Sequence, residues 1–205
     1  MRRVLVLFAH PVMERSRVNK RLVGALRDLP DVTIHDLYEA YPTFAIDVAR
    51  EQELLAEHDV IVFQHPFYWY STPAILKEWQ DLVLQYGWAY GDGGTALAGK
   101  ITLNAISTGG PAAAYRREGY NRFTVRELLA PWEQTANLCR MRFLAPYVVH
   151  AALRVGPEED LGDRREAYRR LVEGLRDERI DLERAQRAEN LLDELDGLFA
   201  AAVVA

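Results

Sequence analysis

The chain has 205 residues, of which 49% are hydrophobic and 27% are charged, and its formal net charge is -5. This balance is typical of one ordinary globular domain that buries a substantial core. A slightly acidic chain lacks the general basic field that draws proteins to nucleic acid or anionic membranes, so we expect no nucleic-acid role.

The apolar runs and the cysteine content of the sequence further limit the class of protein. The apolar run at 4–9 is too short for a secretory signal peptide, and no apolar stretch approaches the roughly 18 residues that cross a bilayer. We therefore expect a cytoplasmic protein. Cys139 is the only cysteine, which excludes an intrachain disulfide and argues against a cysteine-based metal site. We expect a structural thiol at Cys139 and no metal.

The first elements read as strand, helix, strand. A nearly continuous run of Val, Leu and Phe from Arg3 to Ala9 predicts a strand buried on both faces of a parallel sheet. A helical pattern follows at 16–29 and ends at Pro30. The next strand is predicted at 32–37.

The rest of the chain up to His150 continues this alternation. Pro73 suits the first turn of a helix, and a glycine-rich connection occupies 91–99. We predict helices at 47–57, 74–85 and 123–138, and strands at 60–64, 100–107 and 142–150.

Strands that alternate with helices at this spacing predict an α/β fold with a right-handed, doubly wound parallel sheet, for which we favour the five-strand order 2-1-3-4-5. We treat 1–205 as one domain with a core at about 1–155 and a helical C-terminal extension at about 156–205. Apolar residues at helical spacing in that extension fit either helices packed on the sheet or a partner-binding surface.

Ligands of open parallel sheets lie beyond the carboxyl ends of the strands, where strand order reverses. After strand one, His10, Ser16 and Asn19 lie between a strand and a helix, as a phosphate site would require. The loop has neither a Walker lysine nor the G-x-G-x-x-G pattern. The alternative is that Ser16 only caps a helix and His10 closes the strand.

The loop after strand three is unusually aromatic. Phe67, Tyr68, Trp69 and Tyr70 are consecutive at a position where a loop is normally small and polar. Such a cluster fits a wall for a flat conjugated ring. It equally fits a hydrophobic or dimer-interface cluster.

The loop after strand four contains Ser107, Thr108 and the pair Gly109-Gly110. Glycines let a ring edge or sugar chain approach the backbone closely, although turns also use the pair routinely. Tyr115 follows and fits a proton donor to charge on a reduced ring, or alternatively an interfacial core tyrosine. Together the three loops require a phosphate, a flat ring and close polar contact, which FMN provides; FAD stays open.

Three segments carry a family resemblance, at 63–79, 87–100 and 107–115. They are similar to the flavodoxin-like NAD(P)H dehydrogenase (quinone) family, and within it most similar to the ancillary flavoproteins of glutathione-regulated potassium-efflux systems. The resemblance covers about Arg3 to His150. It implies contacts to the flavin phosphate from His10, Ser16, Arg17, Val18 and Asn19, and contacts to the ring from Pro66, Phe67, Tyr68, Trp69, Tyr70, Ser107, Thr108, Gly109 and Gly110.

The resemblance also implies a reaction and an assembly. Family members pass a hydride from NADH or NADPH through flavin to a quinone by a ping-pong mechanism, and they are homodimers, to whose interface Trp88 and Tyr90 would contribute here. In the eukaryotic members a histidine follows the tyrosine that matches Tyr115 by six residues, whereas this chain has Asn121. A tyrosine–histidine relay at that position is therefore not expected.

Two functions other than quinone reduction are also compatible with the sequence. The first is a regulatory subunit that binds a potassium-efflux antiporter at the inner membrane, for which the extension is a candidate contact. The second, weaker one is a one-electron carrier like flavodoxin. Arg116 and Arg117 would suit the 2'-phosphate of NADPH but fit solvent-exposed arginines better, so the choice between NADH and NADPH stays open.

Overall fold

In the computed structural model, which describes residues 1–156 and 161–199, six strands form one parallel sheet. The order is β2-β1-β3-β4-β5, with β6 also paired to β4, so the predicted strand order is confirmed. The strands are β1 Val4–Phe8, β2 Val32–Asp36, β3 Val60–Pro66, β4 Ile101–Ser107, β5 Arg142–Phe143 and β6 Tyr147–Val149.

Strand β1 divides its side chains between two cores because successive residues of a strand point to opposite faces of the sheet. Val4, Val6 and Phe8 belong to one buried cluster. Leu5 and Leu7 belong to the other. The continuous apolar run in the sequence therefore reflects a strand covered on both sides, as predicted.

Helices cover both faces, and two predicted helices differ in detail. The predicted helix at 16–29 is regular only from Asn19 to Gly24, after which it tightens into turns such as Leu26 N–H to Val23 O at 3.1 Å. The helix predicted at 123–138 is divided at Leu129, because Pro131 in its second part has no N–H to continue the hydrogen-bond ladder. The helices of the described residues are α1 Asn19–Gly24, α2 Leu37–Ala40, α3 Val48–Glu57, α4 Ala74–Val83, α5 Val125–Leu128, α6 Ala130–Leu138, α7 Asp163–Arg176, α8 Leu182–Arg187 and α9 Leu191–Glu194.

The fifth strand position is interrupted between β5 and β6, whereas the sequence predicted one strand at 142–150. Pro146 has no N–H for the ladder. The Ala145 N–H donates instead to Ala185 O at 3.0 Å, and Leu191 N–H donates to Pro146 O at 2.9 Å. The C-terminal extension therefore forms the hydrogen bonds with backbone groups at 145–146 that are not paired within the sheet.

The described part of that extension packs on the sheet. Tyr168, Leu171, Val172 and Leu175 of α7 are fully buried in the same cluster as Val4, and Leu191, Leu195 and Leu198 join them. The packing alternative is thus correct for 161–199. Residues 157–160 and 200–205 of the predicted extension lie outside the described residues.

Among the helices at 1–156 and 161–199, none has the combination of length and hydropathy that crossing a membrane requires.

Candidate functional site

The carboxyl ends of β1, β3 and β4 surround a cavity of about 730 Å³, which is within the size range of small-molecule sites. Every residue predicted to bind a cofactor lines it except Thr108, which is buried beneath it. A larger cavity, of about 930 Å³, lies at the opposite edge of the sheet and is lined by none of the three loops. The lining of the smaller cavity consists of His10, Val12, Arg15, Ser16, Arg17, Val18, Asn19, Pro66, Phe67, Tyr68, Trp69, Tyr70, Ser107, Gly109, Gly110, Tyr115, Ala152 and Leu153.

His10 reaches the cavity as a neutral donor. Burial is the main cause that lowers its pKa, and a backbone hydrogen bond with Val12 partly opposes it. Because Val12 N–H donates to His10 Nδ1 at 3.2 Å, the neutral ring carries its proton on Nε2. A neutral N–H donor is thereby available at the cavity.

Ser16 and Asn19 are already partly engaged within the protein. Ser16 Oγ accepts the Lys20 N–H at 3.1 Å, which supports the capping alternative, but its own O–H can still donate. Asn19 is 2% exposed and donates from Nδ2 to Ser107 Oγ at 2.8 Å. This bond links the loops after β1 and β4.

The other side-chain atom of Asn19 provides a test of whether a ligand fits. Asn19 Oδ1 is buried, and it finds no hydrogen-bond partner in 1–156 or 161–199. A buried unsatisfied acceptor costs about 1–3 kcal/mol. A hydroxyl-bearing ligand in the adjoining cavity would remove that cost, so a ribityl phosphate fits the donors and acceptors present.

Arg17 ties the first loop to the chain after β6. Its exposed guanidinium donates to Val155 O at 3.0 Å and to Leu153 O at 3.4 Å. Leu153 itself lines the cavity beside Arg17. Arg17 therefore combines a positive charge at the cavity with a structural contact.

The aromatic loop is a tight turn. Ser71 N–H donates to Tyr68 O at 2.9 Å, and the intervening Trp69 and Tyr70 have φ values of 50° and 63°. Such positive φ values are unfavourable for large side chains. Trp69 is 93% exposed and lies at the rim, whereas Phe67 is buried. All four aromatic residues of the predicted wall therefore line the cavity, with Phe67 inside and Trp69 at the rim.

Gly109 and Gly110, in the loop after β4, form a part of the cavity wall that has no side chains. A Cβ atom at Gly109 would lie 3.2 Å from Leu153 Cδ1, and one at Gly110 would lie 3.5 Å from the Tyr115 ring. A side chain at Gly109 would therefore press on Leu153, whereas one at Gly110 would make ordinary contact with Tyr115. Beneath them, Thr108 Oγ1 donates to Gly110 O at 2.9 Å and lies 2.9 Å from His150 Nδ1.

Tyr115 is a half-buried phenol between several polar groups. Burial raises its pKa first and Tyr70 adds to this, while Thr108 and Asn121 partly lower it. Asn121 Oδ1 also accepts from Tyr70 Oη at 3.2 Å. Asn121, at the position where the eukaryotic members have a histidine, thus links two tyrosines at the cavity mouth.

Sequence reasoning missed His150, whose ring centroid lies 5.6 Å from that of Tyr115. A signal was present, because His150 ends a predicted strand at the ligand-bearing edge of the sheet. Arg15, Val12, Ala152 and Leu153 were missed as lining residues as well. Cys139 is buried, and burial raises its thiol pKa, as a structural cysteine requires.

Comparison with known proteins gives consistent matches. The profile of the family described as flavodoxin-like fold matches residues 2–175. Glutathione-regulated potassium-efflux system ancillary protein KefG of Serratia proteamaculans is 52% identical over 156 residues, 76% of this chain and 85% of that protein.

Solved structures agree in fold while their names differ. General stress protein 14 of Treponema denticola, in complex with FMN, is 39% identical with a TM-score of 0.78, covering 84% of this chain and 99% of that one. An NADPH-quinone reductase of P. pentosaceus is 33% identical with a TM-score of 0.74, covering 82% and 96%. A chain named thermophilic tryptophan halogenase, from Streptomycin violaceusniger, is 49% identical with a TM-score of 0.79, covering 82% and 97%.

Proposed function

The chain belongs to the family with the flavodoxin-like fold, and from this premise we propose that it is an FMN-dependent oxidoreductase that passes a hydride from NADH or NADPH to a quinone. One observation carries the proposal: the three chemically unusual loops line one cavity of about 730 Å³. The FMN complex of the Treponema denticola protein and the quinone reductase name of the P. pentosaceus protein support it.

Each side of the cavity has donors suited to one part of FMN. His10 Nε2 and the Ser16 hydroxyl would bind the phosphate, with Arg17 supplying positive charge, and Asn19 Oδ1 would accept from a ribityl hydroxyl. The segments 66–70 and 107–110 would hold the ring. Bound FMN supplies two-electron hydride chemistry, and the protein supplies its position and electrostatic surroundings.

Tyr115 is the residue that we assign to proton handling. Its phenol has an ordinary pKa of about 10 and therefore keeps its proton at neutral pH, and burial raises the pKa further. A neutral phenol stabilises developing negative charge by donating a hydrogen bond or the proton itself. FAD is the alternative cofactor, and the site donors described above do not distinguish NADH from NADPH.

The proposed assembly is a cytoplasmic homodimer. Trp88 and Tyr90 are half-buried and pack against the core cluster that contains Trp79. Their partly exposed surfaces, together with the exposed Trp69, are the candidate dimer contacts. Sedimentation of the purified protein tests this part separately.

The direct test of the function is to purify the protein, release any flavin and identify it by mass, and then to follow NADH and NADPH oxidation with a small quinone. A yellow protein that reduces the quinone supports the proposal. A colourless protein that takes up neither FMN nor FAD contradicts it.

A charge change at the phosphate side sharpens this test. Asn19→Asp keeps the side-chain shape but places a carboxylate beside the proposed phosphate, so we expect FMN affinity to fall at least about tenfold, or roughly 1.4 kcal/mol. Asn137→Asp makes the same change at an exposed position of α6 and should leave affinity unchanged. Equal affinities for the two variants would argue against a phosphate at Asn19.

A second candidate is supported by the relatives named KefG, which are ancillary proteins of potassium-efflux systems. In this alternative the protein binds an inner-membrane antiporter and raises its activity, and its reductase activity is secondary. Potassium efflux from cells with and without the protein tests it. Efflux that the protein does not change, together with no co-purification with the antiporter, rejects this alternative.

A further inference from the structure

A glutamine lies in the middle of the sheet, among apolar side chains. Gln64 belongs to β3, between β1 and β4, and its surface is fully buried. It lies on the same face of the sheet as Val60 and Val62, because alternate residues of a strand point to the same side. A buried amide destabilises a core unless its polar atoms are hydrogen-bonded. The presence of Gln64 at this position is therefore explained by its partners.

Both polar atoms of the Gln64 side chain have partners on helices. Gln64 Nε2 donates to the backbone oxygen of Asn19, the first residue of α1, at 2.9 Å. Tyr168 Oη of α7 donates to Gln64 Oε1 at 3.0 Å. The orientation of the amide is fixed, because the carbonyl of Asn19 can only accept and must face the N–H₂ group. Gln64 Oε1 therefore faces the phenol, which has to be the donor.

Tyr168 lies below the cavity and has a stable proton to donate. Its side chain is fully buried in the core cluster on the α7 side of the sheet, and it is not among the residues that line the cavity. A phenol keeps its proton at neutral pH, and burial raises the pKa of Tyr168 well above the ordinary value. The hydrogen bond to Gln64 is therefore present throughout the neutral range.

The hydrogen bonds continue from Asn19 to the cavity. Asn19 Nδ2 donates to Ser107 Oγ at 2.8 Å, and both residues line the cavity. Within 1–156 and 161–199, Asn19 Oδ1 has no hydrogen-bond partner, and the Ser107 hydroxyl is bonded only as an acceptor. The two side chains therefore offer one acceptor and one donor to a ligand, which suits the hydroxyl groups of a ribityl chain.

We propose that Tyr168 is a positioning residue for the flavin site: through Gln64 it fixes the first residue of α1, and it thereby holds Asn19 and Ser107 in place for the ligand. This inference rests on the proposed function for the identity of that ligand. The three links are hydrogen bonds of 3.0, 2.9 and 2.8 Å between buried residues. Tyr168 acts without touching flavin or substrate.

The proposal gives α7 a part in ligand binding in addition to its packing on the sheet. A buried network whose bonds are already formed holds the ligand-binding side chains in one arrangement before the ligand arrives. Such preorganisation increases affinity, because less conformational freedom is lost on binding.

The first test uses the protein without flavin and follows the side-chain amide of Asn19 by nitrogen-15 NMR, its signal being identified by its loss in Asn19→Asp. Tyr168→Phe keeps the ring but removes the donor to Gln64, so we expect the Asn19 signal to shift and broaden. An Asn19 signal that Tyr168→Phe leaves unchanged overturns the proposed coupling.

Tyr147→Phe is the matched control. Tyr147 is also fully buried, and its ring centroid lies 5.0 Å from that of Tyr168. Its hydroxyl donates to Arg164 O instead of to Gln64. The control therefore removes a buried hydroxyl from the same core and should leave the Asn19 signal unchanged.

The second test measures affinity for FMN. Tyr168→Phe should lower it about fivefold, the factor that corresponds to one neutral hydrogen bond, whereas Tyr147→Phe should not. Gln64→Met keeps the length of the side chain and removes both of its hydrogen bonds, so it should lower the affinity at least as much. Adding Tyr168→Phe to Gln64→Met should have no further effect, because Tyr168 acts through Gln64.

Equal FMN affinities for Tyr168→Phe and Tyr147→Phe overturn the positioning role. Additive losses from Tyr168→Phe and Gln64→Met overturn it as well, since they would show two independent effects on the fold. If Tyr168→Phe does not fold, Gln64→Met tests the link to Asn19 by both measurements. A wild-type protein that binds no flavin overturns the proposed function alone, because the NMR measurement decides the coupling without flavin.

Discussion

Tyr115 lies at the meeting point of groups that are distant in the sequence. Thr108 and His150 approach it from two strand ends, and Asn121 approaches it from its own loop. Tyr115 could be predicted because it follows a glycine-rich strand end. His150 could not be assigned this contact, because its position depends on the interruption of the fifth strand and on the tertiary contacts of the extension.

Replacing Tyr115 by Phe removes one hydroxyl from the cavity wall. We expect Tyr115→Phe to bind FMN as the wild type does but to oxidise NADH or NADPH at least about tenfold more slowly, because the donor to developing charge is lost. Tyr86→Phe removes a hydroxyl from an exposed ring and serves as the control. Stopped-flow absorbance of the flavin measures the rate, and wild-type rates in Tyr115→Phe would exclude it from catalysis.

Glu51 is a fully buried carboxylate with three partners. His35 Nε2 lies 2.7 Å from Oε1, Tyr41 Oη donates to Oε1 at 2.5 Å, and Trp79 Nε1 donates to Oε2 at 2.7 Å. Burial raises the pKa of Glu51, but the hydrogen bonds outweigh it and leave the pKa below its ordinary value. The contribution to stability is therefore present at neutral pH and is lost as the pH falls through the folded-state pKa.

Glu51→Gln should lower the free energy of unfolding by about 1–3 kcal/mol at neutral pH, because the amide N–H₂ would face the Trp79 donor. The difference from the wild type should shrink at a pH below the folded-state pKa of Glu51, which is itself lowered, because the wild-type carboxyl is then protonated. Urea unfolding at both pH values measures it, with the exposed Glu53→Gln as the matched control. A difference that stays constant with pH would show that the ionised form is not what stabilises the fold.

At the scale of elements, the turn at 68–71 has a backbone conformation that is unfavourable for two of its side chains. Trp69 and Tyr70 are both left-handed, a conformation preferred by Gly, Asn and Asp in turns of this type. Strain of this kind is concentrated at ligand sites. The nearly fully exposed Trp69 side chain offers little packing in return within this chain.

Trp69→Asn should therefore stabilise the protein while weakening its proposed function. We expect the free energy of unfolding to rise by about 1 kcal/mol, since asparagine tolerates the left-handed backbone, and FMN or quinone binding to weaken. Trp69→Phe keeps both the strain and an aromatic ring and should change stability little. Thermal unfolding and flavin titration check both results, and a destabilised Trp69→Asn would mean that Trp69 is packed against something, such as a second subunit.

The predicted and observed strands agree where the local sequence pattern determines the ends of the strand. The apolar runs placed β1 and β4 within one residue at each end. The break between β5 and β6 was not predicted, because it depends on Ala145 pairing with Ala185, a contact between distant parts of the chain. No local pattern in 142–150 except Pro146 indicates it.

For the whole molecule, the two faces of the sheet are covered by different parts of the chain. One face receives α3, α4 and α6, and the other receives α1, α7 and the segment up to Leu198. Hydrophobic spacing predicted that the extension is helical. Its inward packing was left open because an amphipathic helix has the same pattern whether it covers its own sheet or a partner.

Ending the chain after Arg179 should prevent cooperative folding. The truncation removes Leu191, Leu195 and Leu198, each almost fully buried, whose burial contributes roughly 5–9 kcal/mol together, comparable with the stability of a typical domain. The single change Leu191→Ala should instead cost about 2–5 kcal/mol and leave a folded protein. Circular dichroism with urea unfolding distinguishes the two, and a truncated chain of wild-type stability would show that the extension is dispensable for the fold.

The interruption of the fifth strand at Pro146 also affects how the protein responds to heat. Segment 190–193 closes the gap beside β6 through the side-chain amide of Asn190 and a few backbone bonds, and such small units open at a lower free energy than the whole sheet. Thermal inactivation should then begin below the temperature at which the sheet melts. Turnover after mild heating and cooling should recover fully, because β1, β3 and β4, whose ends frame the cavity, stay paired at those temperatures.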